Sequence, residues 1–256
     1  CKFNYRKTDW IYGNGVMYFH DENNKPSCFQ TGFFAGLEKI KDFQGEFDYN
    51  QLLEGYSKEK QADFDCRQLL FNDEKNDLKN IKELDNLFIG DSYMEFWHYD
   101  IYAEKTFYEA FENSLNVGLG ATRFIDWFKY IKQLVDLPKP KNIIINLGFN
   151  DIHSNFKARG VYYYQLKCLK MLREIFPDAN YYFINLVHAP LFDNYLLEEE
   201  KFNKILINGQ TKHNYKVIDN YNNIKKEKTN CFYQDLIHLN HYGYNLFEKL
   251  IKEELK

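Results

Sequence analysis

The run Asn142-Ile143-Ile144-Ile145-Asn146-Leu147, ending at Gly148, constrains this chain more than any other feature. Three successive β-branched residues without polar alternation do not suit a strand that wets one face. They suit a strand covered on both faces, as in a parallel sheet lying under helices. Shorter apolar runs recur at 84–90, 114–117, 181–187 and 215–219. Stretches of helical spacing fill the gaps, at 122–135, 160–176, 194–207 and 242–255. In the first of them Phe124, Phe128, Ile131 and Leu134 mark one apolar face. Pro138 and Pro140 end that helix before the next strand, and Pro177 with Asp178 ends the second. Regular strand–helix alternation predicts an α/β fold, a three-layer α/β/α sandwich whose parallel strands are joined by right-handed crossovers. Such a sheet carries its working residues at the carboxyl ends of its strands.

Residues 1–83 follow another pattern and are expected to form an N-terminal extension to a main domain at 84–256. The aromatic run Trp10–Phe19 is split by Gly13-Asn14-Gly15, residues 21–26 read as a second turn, and 28–34 as a returning strand. This predicts a small β unit, followed by one or two helices between Tyr56 and Lys82. The aromatic pattern occurs once, whereas repeat modules need several copies to bury a core.

The charge balance, 33 Lys and Arg against 37 Asp and Glu for a net of -4, argues against nucleic-acid binding through a basic face. No apolar stretch reaches the roughly 18 residues of a membrane span. The cysteines Cys1, Cys28, Cys66, Cys168 and Cys231 are scattered and odd in number, so neither a disulfide framework nor a zinc ribbon is expected. Free thiols favour a reducing, cytoplasmic setting. The chain opens at Cys1, which a trimmed fragment explains; export or lipid anchoring through Cys1 is the alternative, and localisation and oligomeric state stay open.

Four short segments hold the candidate chemistry. Gly90-Asp91-Ser92 follows the first strand of the main domain, and Asn116-Val117-Gly118-Leu119-Gly120-Ala121-Thr122 follows the second. Gly148-Phe149-Asn150-Asp151 follows the third, and Asp235-Leu236-Ile237-His238 precedes the last helix. In that order and placement they resemble the four sequence blocks of the SGNH (GDSL) hydrolases. The resemblance spans 84–256 and is closest in texture to bacterial acetyl esterases and to the platelet-activating-factor acetylhydrolase catalytic-subunit group. It implies a flavodoxin-like strand order and catalysis of acyl transfer by a serine.

On that basis Ser92 is the expected nucleophile, His238 the general base, and Asp235 the acid that fixes the tautomer of His238. The expected oxyanion donors are the N–H of Ser92, an N–H at Gly120 or Ala121, and the side-chain amide of Asn150; losing one such donor typically costs ~2.7–4 kcal/mol of barrier. Ala121 departs from the family, which has Gly at that place. An Ala keeps the donor there if the turn does not require positive φ. Asp91 and Asp151 are read as structural turn partners, and Arg123 as a surface residue. Tyr93, Phe149, His188 and Ile237 are expected to line the substrate pocket, with Met94 and Trp97 as further flanking residues that either narrow it or belong to the core.

The remaining histidines, His20, His98, His153, His213 and His241, are scattered without a metal-binding motif, and no Gly-rich phosphate loop follows a strand, so neither metal nor cofactor is expected. The expected activity is hydrolysis of a carboxylic ester, with a short acyl group and acetyl first, on a small-molecule or carbohydrate substrate. The alternatives are a catalytically silent module of the same fold that binds a glycan or acylated ligand, and an acyltransferase using the same serine.

Overall fold

A computed structural model describes residues 16–20, 26–31 and 83–256, and the chain divides into two units, Cys1–Ala62 and Asp63–Lys256. In the first unit β1 (Val16–His20) pairs antiparallel with β2 (Pro26–Thr31), Phe19 opposite Cys28, as a hairpin. The Trp10–Gly15 segment and the helices expected between Tyr56 and Lys82 lie outside the described residues.

In the second unit five strands form one all-parallel sheet in the order β4-β3-β5-β6-β7. They are β3 (Glu83–Gly90), β4 (Ser114–Asn116), β5 (Lys139–Asn146), β6 (Asn180–Ile184) and β7 (Lys216–Ile218). This is the flavodoxin-like order. Its topological switch lies between β3 and β5, and the crevice beyond their carboxyl ends is where open α/β sheets bind ligands. Ile143, Ile144 and Ile145 of β5 are at most 1% exposed, as the unbroken β-branched run demands.

Among the described residues of this unit the α-helices are α1 (Ser92–Glu95), α2 (Phe107–Ala110), α3 (Phe124–Ile131), α4 (Phe149–His153), α5 (Ala158–Ile175), α6 (Leu196–His213), α7 (Asn220–Lys225) and α8 (His241–Glu254). Helix α5 touches both α3 and α6, while α7 touches α8. Buried Trp97 stacks on Phe247 of α8 (5.3 Å between centroids) and meets Phe88 of β3 edge-on, joining α8 to the sheet. Each such aromatic pair adds about 0.5–1.5 kcal/mol beyond area burial.

Three boundaries differ from the sequence expectation, each for a local reason. Strand β5 begins at Lys139 and includes Pro140. That proline pairs only with Leu84 of β3, before β6 joins at Asn142, so its missing N–H breaks no ladder. Strand β6 stops at Ile184 because the Asn203 side chain takes both the N–H and the C=O of Leu186, each at 2.8 Å. Helix α6 runs through Gly209 to His213 and ends at Asn214 in the left-handed conformation. Gly209 does not stop this helix; a Cβ there would lie 1.9 Å from the Tyr162 hydroxyl, so the glycine admits close approach of α5.

Candidate active site

Strand β3 ends at Gly90, and Asp91 caps the short helix that starts at Ser92: its Oδ1 accepts the N–H of Tyr93 at 3.1 Å. The cap turns the chain sharply and leaves Ser92 on the first turn, half-buried. The Ser92 N–H donates to no group among the described residues. Ser92 Oγ lies 2.9 Å from His238 Nε2, and His238 Nδ1 lies 2.7 Å from Asp235 Oδ2. With Nδ1–H donated to a carboxylate, Nε2 is left to accept the serine proton. The other oxygen of Asp235 accepts the N–H groups of Ile237 and His238, both at 2.9 Å. Leu236 makes this possible by adopting φ 59. Burial on its own would raise the Asp235 carboxyl; the bonds from the His238 ring and from the His238 and Ile237 N–H groups outweigh it and hold the pKa below the usual carboxylate value.

The second segment is bound to the first through Asn116, whose amide donates to Met94 O at 2.8 Å while its Oδ1 accepts Gly118 N–H at 2.9 Å. Leu119 N–H donates to Gly90 O at 2.9 Å. Gly120 is thereby brought beside Ser92: a Cβ on it would lie 3.7 Å from Ser92 Cβ. Its N–H donates to the carboxylate of Glu95, one helical turn beyond Ser92. Ala121 adopts φ 60, so the turn does require the left-handed conformation that an alanine pays for in strain.

Strand β5 leads through Gly148, at φ 115, into Asn150. The Asn150 amide donates to Thr122 O at 3.1 Å and reaches Asp91 Oδ2 at 3.5 Å, so this residue links the ends of β3, β4 and β5. Asp91 and Asp151 are both buried, and burial pushes each carboxyl up to about 7; backbone N–H bonds, from Tyr93 and Phe124 respectively, only partly offset it. Arg123 is half-exposed and pairs with Asp126 at 3.2 Å.

The four residues expected to line a pocket have separate fates. Tyr93 is 2% exposed and spends its hydroxyl on Ile237 O at 2.6 Å, which places it in the core beneath the site. Phe149 is buried edge-on against Tyr93, with centroids 5.3 Å apart. Met94 and Trp97 are likewise core. Ile237 is half-buried in the loop that carries Asp235 and His238. His188 Nδ1 lies 2.7 Å from Glu199 Oε2 and its Nε2 3.0 Å from Asp193 Oδ1. Fully buried Glu199 also meets His153 Nε2 at 2.8 Å.

Sequence reasoning missed Glu95, the aromatic side chains beside His238, and Glu199. Phe96 lies 4.3 Å from the His238 ring, Tyr102 stacks on Phe96 at 4.6 Å, and Tyr233 meets Tyr102 at 4.7 Å. The spacing of Ser92 and Glu95, one turn apart on a helix, is the signal that points to the first of these. Among the described residues no three His, Cys, Asp or Glu side chains gather to hold a metal, and no helix is long and apolar enough to cross a membrane.

Comparison with known proteins supports the fold directly. No family model and no curated protein matches the sequence. Solved structures do match in shape. A member of the lipolytic G-D-S-L family from Veillonella parvula is 20% identical at TM-score 0.57, over 67% of this chain and 96% of that one. A candidate platelet activating factor from Streptococcus pneumoniae is 16% identical at TM-score 0.62, over 81% of this chain and 98% of that one. The acetylxylan esterase Axe2 from Geobacillus stearothermophilus is 13% identical at TM-score 0.52, over 66% of this chain and 93% of that one. The chain therefore shares the fold of GDSL-type hydrolases.

Proposed function

We propose that this protein is a GDSL-type serine hydrolase that cleaves carboxylic esters. The observation that carries the reading is the hydrogen-bonded line Ser92–His238–Asp235 at the carboxyl edge of a flavodoxin-like sheet. Ser92 Oγ attacks the acyl carbon as His238 Nε2 takes its proton, and Asp235 holds the resulting imidazolium. His238 then returns the proton to the leaving alcohol, which departs as the C–O bond breaks and leaves an acyl group on Ser92. A water activated by His238 hydrolyses that acyl-enzyme. The Ser92 N–H is the first proposed donor to the oxyanion; the Asn150 amide joins it by turning from its 3.5 Å contact with Asp91, and Gly120 N–H joins when Glu95 releases it. Of the two backbone donors weighed from sequence, Gly120 is favoured because it lies beside Ser92.

The acyl group is short, acetyl first. One structural neighbour, named an acetylxylan esterase, supports this. The test is turnover of p-nitrophenyl esters of increasing chain length by the wild type and Ser92→Ala. Acetate is expected to be the best substrate and Ser92→Ala inactive though folded; an unchanged rate in that variant removes Ser92 from its role.

A second reading, a silent binding module of this fold, is favoured by the Glu95 carboxylate on the Gly120 donor and by Ala121 at positive φ. Labelling by a fluorophosphonate decides between them, since only an activated Ser92 reacts.

A further inference from the structure

Leu236 lies in the loop between Asp235 and His238 and adopts φ 59. A leucine takes that left-handed conformation at a cost of roughly 1–2 kcal/mol, and such strain persists only where the surroundings hold it. Two backbone bonds do so here. The Leu236 N–H donates to Tyr233 O at 2.9 Å, and the Leu236 carbonyl accepts the Leu191 N–H at 3.3 Å. Leu191 belongs to the turn Pro190–Tyr195, so the shape of the loop depends in part on what fixes that turn.

His188 reaches the turn from the end of β6. Its Nδ1 lies 2.7 Å from Glu199 Oε2 of α6, and its Nε2 lies 3.0 Å from Asp193 Oδ1 in the turn. An ionised carboxylate only accepts, so each ring nitrogen carries a hydrogen and His188 is an imidazolium. Glu199 needs that charge, because it is fully buried and a carboxylate there is strongly disfavoured without a positive partner. His153 of α4 does not supply it. That ring donates from Nε2 to Glu199 Oε1 at 2.8 Å, but its buried Nδ1 has no partner among the described residues, and burial keeps its pKa below the ordinary value. Phe192 and Tyr195 of the turn pack on the same His153 ring, with centroids 4.1 and 4.8 Å away. Glu200, the next residue of α6, meets the Tyr221 hydroxyl at 2.6 Å and Lys225 Nζ at 3.6 Å. Burial pulls the His188 imidazole down, and the Glu199 and Asp193 carboxylates outweigh it.

We infer, resting on the serine-esterase reading above, that His188 is a positioning residue for the reaction: as an imidazolium bridging Glu199 to Asp193, it fixes the turn against Leu236 and keeps the strained loop of Asp235 and His238 in its working shape. Hydroxide at high pH removes one of its two protons. The remaining N–H stays on buried Glu199, the Nε2 lone pair then opposes the Asp193 carboxylate, and the turn loses its hold on Leu236. Turnover falls on the alkaline side as a result.

The test is the pH profile of kcat and KM for p-nitrophenyl acetate, on the full chain and on Asp193→Asn and His188→Gln. The wild type is expected to lose kcat above about pH 7, beyond the ordinary histidine value, with KM nearly constant. An asparagine amide accepts from an imidazolium and donates to a neutral imidazole, so Asp193→Asn keeps the bridge in both states and removes the alkaline fall. His188→Gln is expected to lack the fall as well, with kcat about fivefold lower throughout. A wild-type profile with no alkaline fall overturns the inference. So does a fall that survives in either variant, which places the titration on Asp91 or Asp151, whose carboxyls stand at about 7. If His188→Gln does not fold, Asp193→Asn decides alone, since that side chain is 87% exposed. Fluorophosphonate labelling of Ser92 without an alkaline fall sinks the positioning role only; no labelling and no turnover sinks the esterase reading and the inference with it.

Discussion

Ser92 Oγ and His238 Nε2 lie 2.9 Å apart although 146 positions separate them in the chain. Tyr93 braces the contact from beneath. Tyr93, the residue after Ser92, sends its hydroxyl to the carbonyl of Ile237, the residue before His238, at 2.6 Å. Its own carbonyl accepts the Tyr244 hydroxyl of α8 at 2.8 Å. Strand end, loop and final helix are thus joined in the core.

Tyr93→Phe is therefore expected to lower kcat about tenfold with little change in KM, because a small misplacement of reacting groups is costly. The orphaned Ile237 carbonyl should also cost about 1–3 kcal/mol of stability. Steady-state kinetics and urea unfolding check both. An unaltered kcat would show that the loop holds His238 without this bond.

Ala121 sits at φ 60, a conformation that costs a non-glycine residue roughly 1–2 kcal/mol. Part of that is returned by alanine's smaller backbone entropy loss. Ala121→Gly is accordingly expected to stabilise the protein by up to about 1 kcal/mol. Equilibrium unfolding in urea measures this, and a clear loss of stability would mean that the alanine methyl makes contacts worth more than its strain.

The fold was legible because its signals are long or local. The β-branched run of β5 and the helix-ending prolines require no knowledge of partners; three of the four motifs follow a strand and the fourth precedes the last helix. Ser92, Asp235 and His238 are picked out by the resemblance of their segments to the SGNH blocks, and the structure brings them into one hydrogen-bonded line. What escaped was set by tertiary contact. The helical stretch read at 194–207 runs on to His213 past Gly209, where the Tyr162 hydroxyl lies too close for a side chain. Tyr93 and Phe149 look like pocket residues, since an aromatic beside a motif carries no mark of which way it faces; both turn into the core. The bond from Gly120 to Glu95 depends on how the second segment folds over α1, which spacing within one segment does not reveal.

Asp91 and Asp151 give the protein an acid-leaning stability profile. Burial raises both carboxyls to about 7, whereas an Asp in an unfolded chain loses its proton near 3.9. Between those values the folded state retains protons that the unfolded state has lost, so stability falls as pH rises from about 4 to about 7. The melting temperature is expected to be higher near pH 5 than near pH 8. Asp151→Asn, which keeps an acceptor for the Phe124 N–H without the charge, should narrow that difference. A melting temperature that climbs from pH 5 to pH 8 and is indifferent to Asp151→Asn would contradict the assignment.

His188 links a buried carboxylate to the loop that carries Asp235. Glu199 is fully buried between His153 and His188, and His188 also holds Asp193, at 87% side-chain exposure, in the turn at Pro190–Tyr195. That turn donates the Leu191 N–H to Leu236 O at 3.3 Å. Burial pulls the His188 imidazole down, but the Glu199 and Asp193 carboxylates outweigh it and leave the pKa above the ordinary value; burial keeps that of His153 below it. A histidine raised on folding contributes stability that is complete below its unfolded pKa and is lost as pH rises through the folded one. His188→Gln is therefore expected to cost more stability at about pH 5.5 than at about pH 9. The ring is partly exposed, and water screening keeps the difference to about 1 kcal/mol or less. Urea unfolding of wild type and variant at both pH values measures it. An equal loss at the two would mean that His188 contributes shape and hydrogen bonds to this region but no charge.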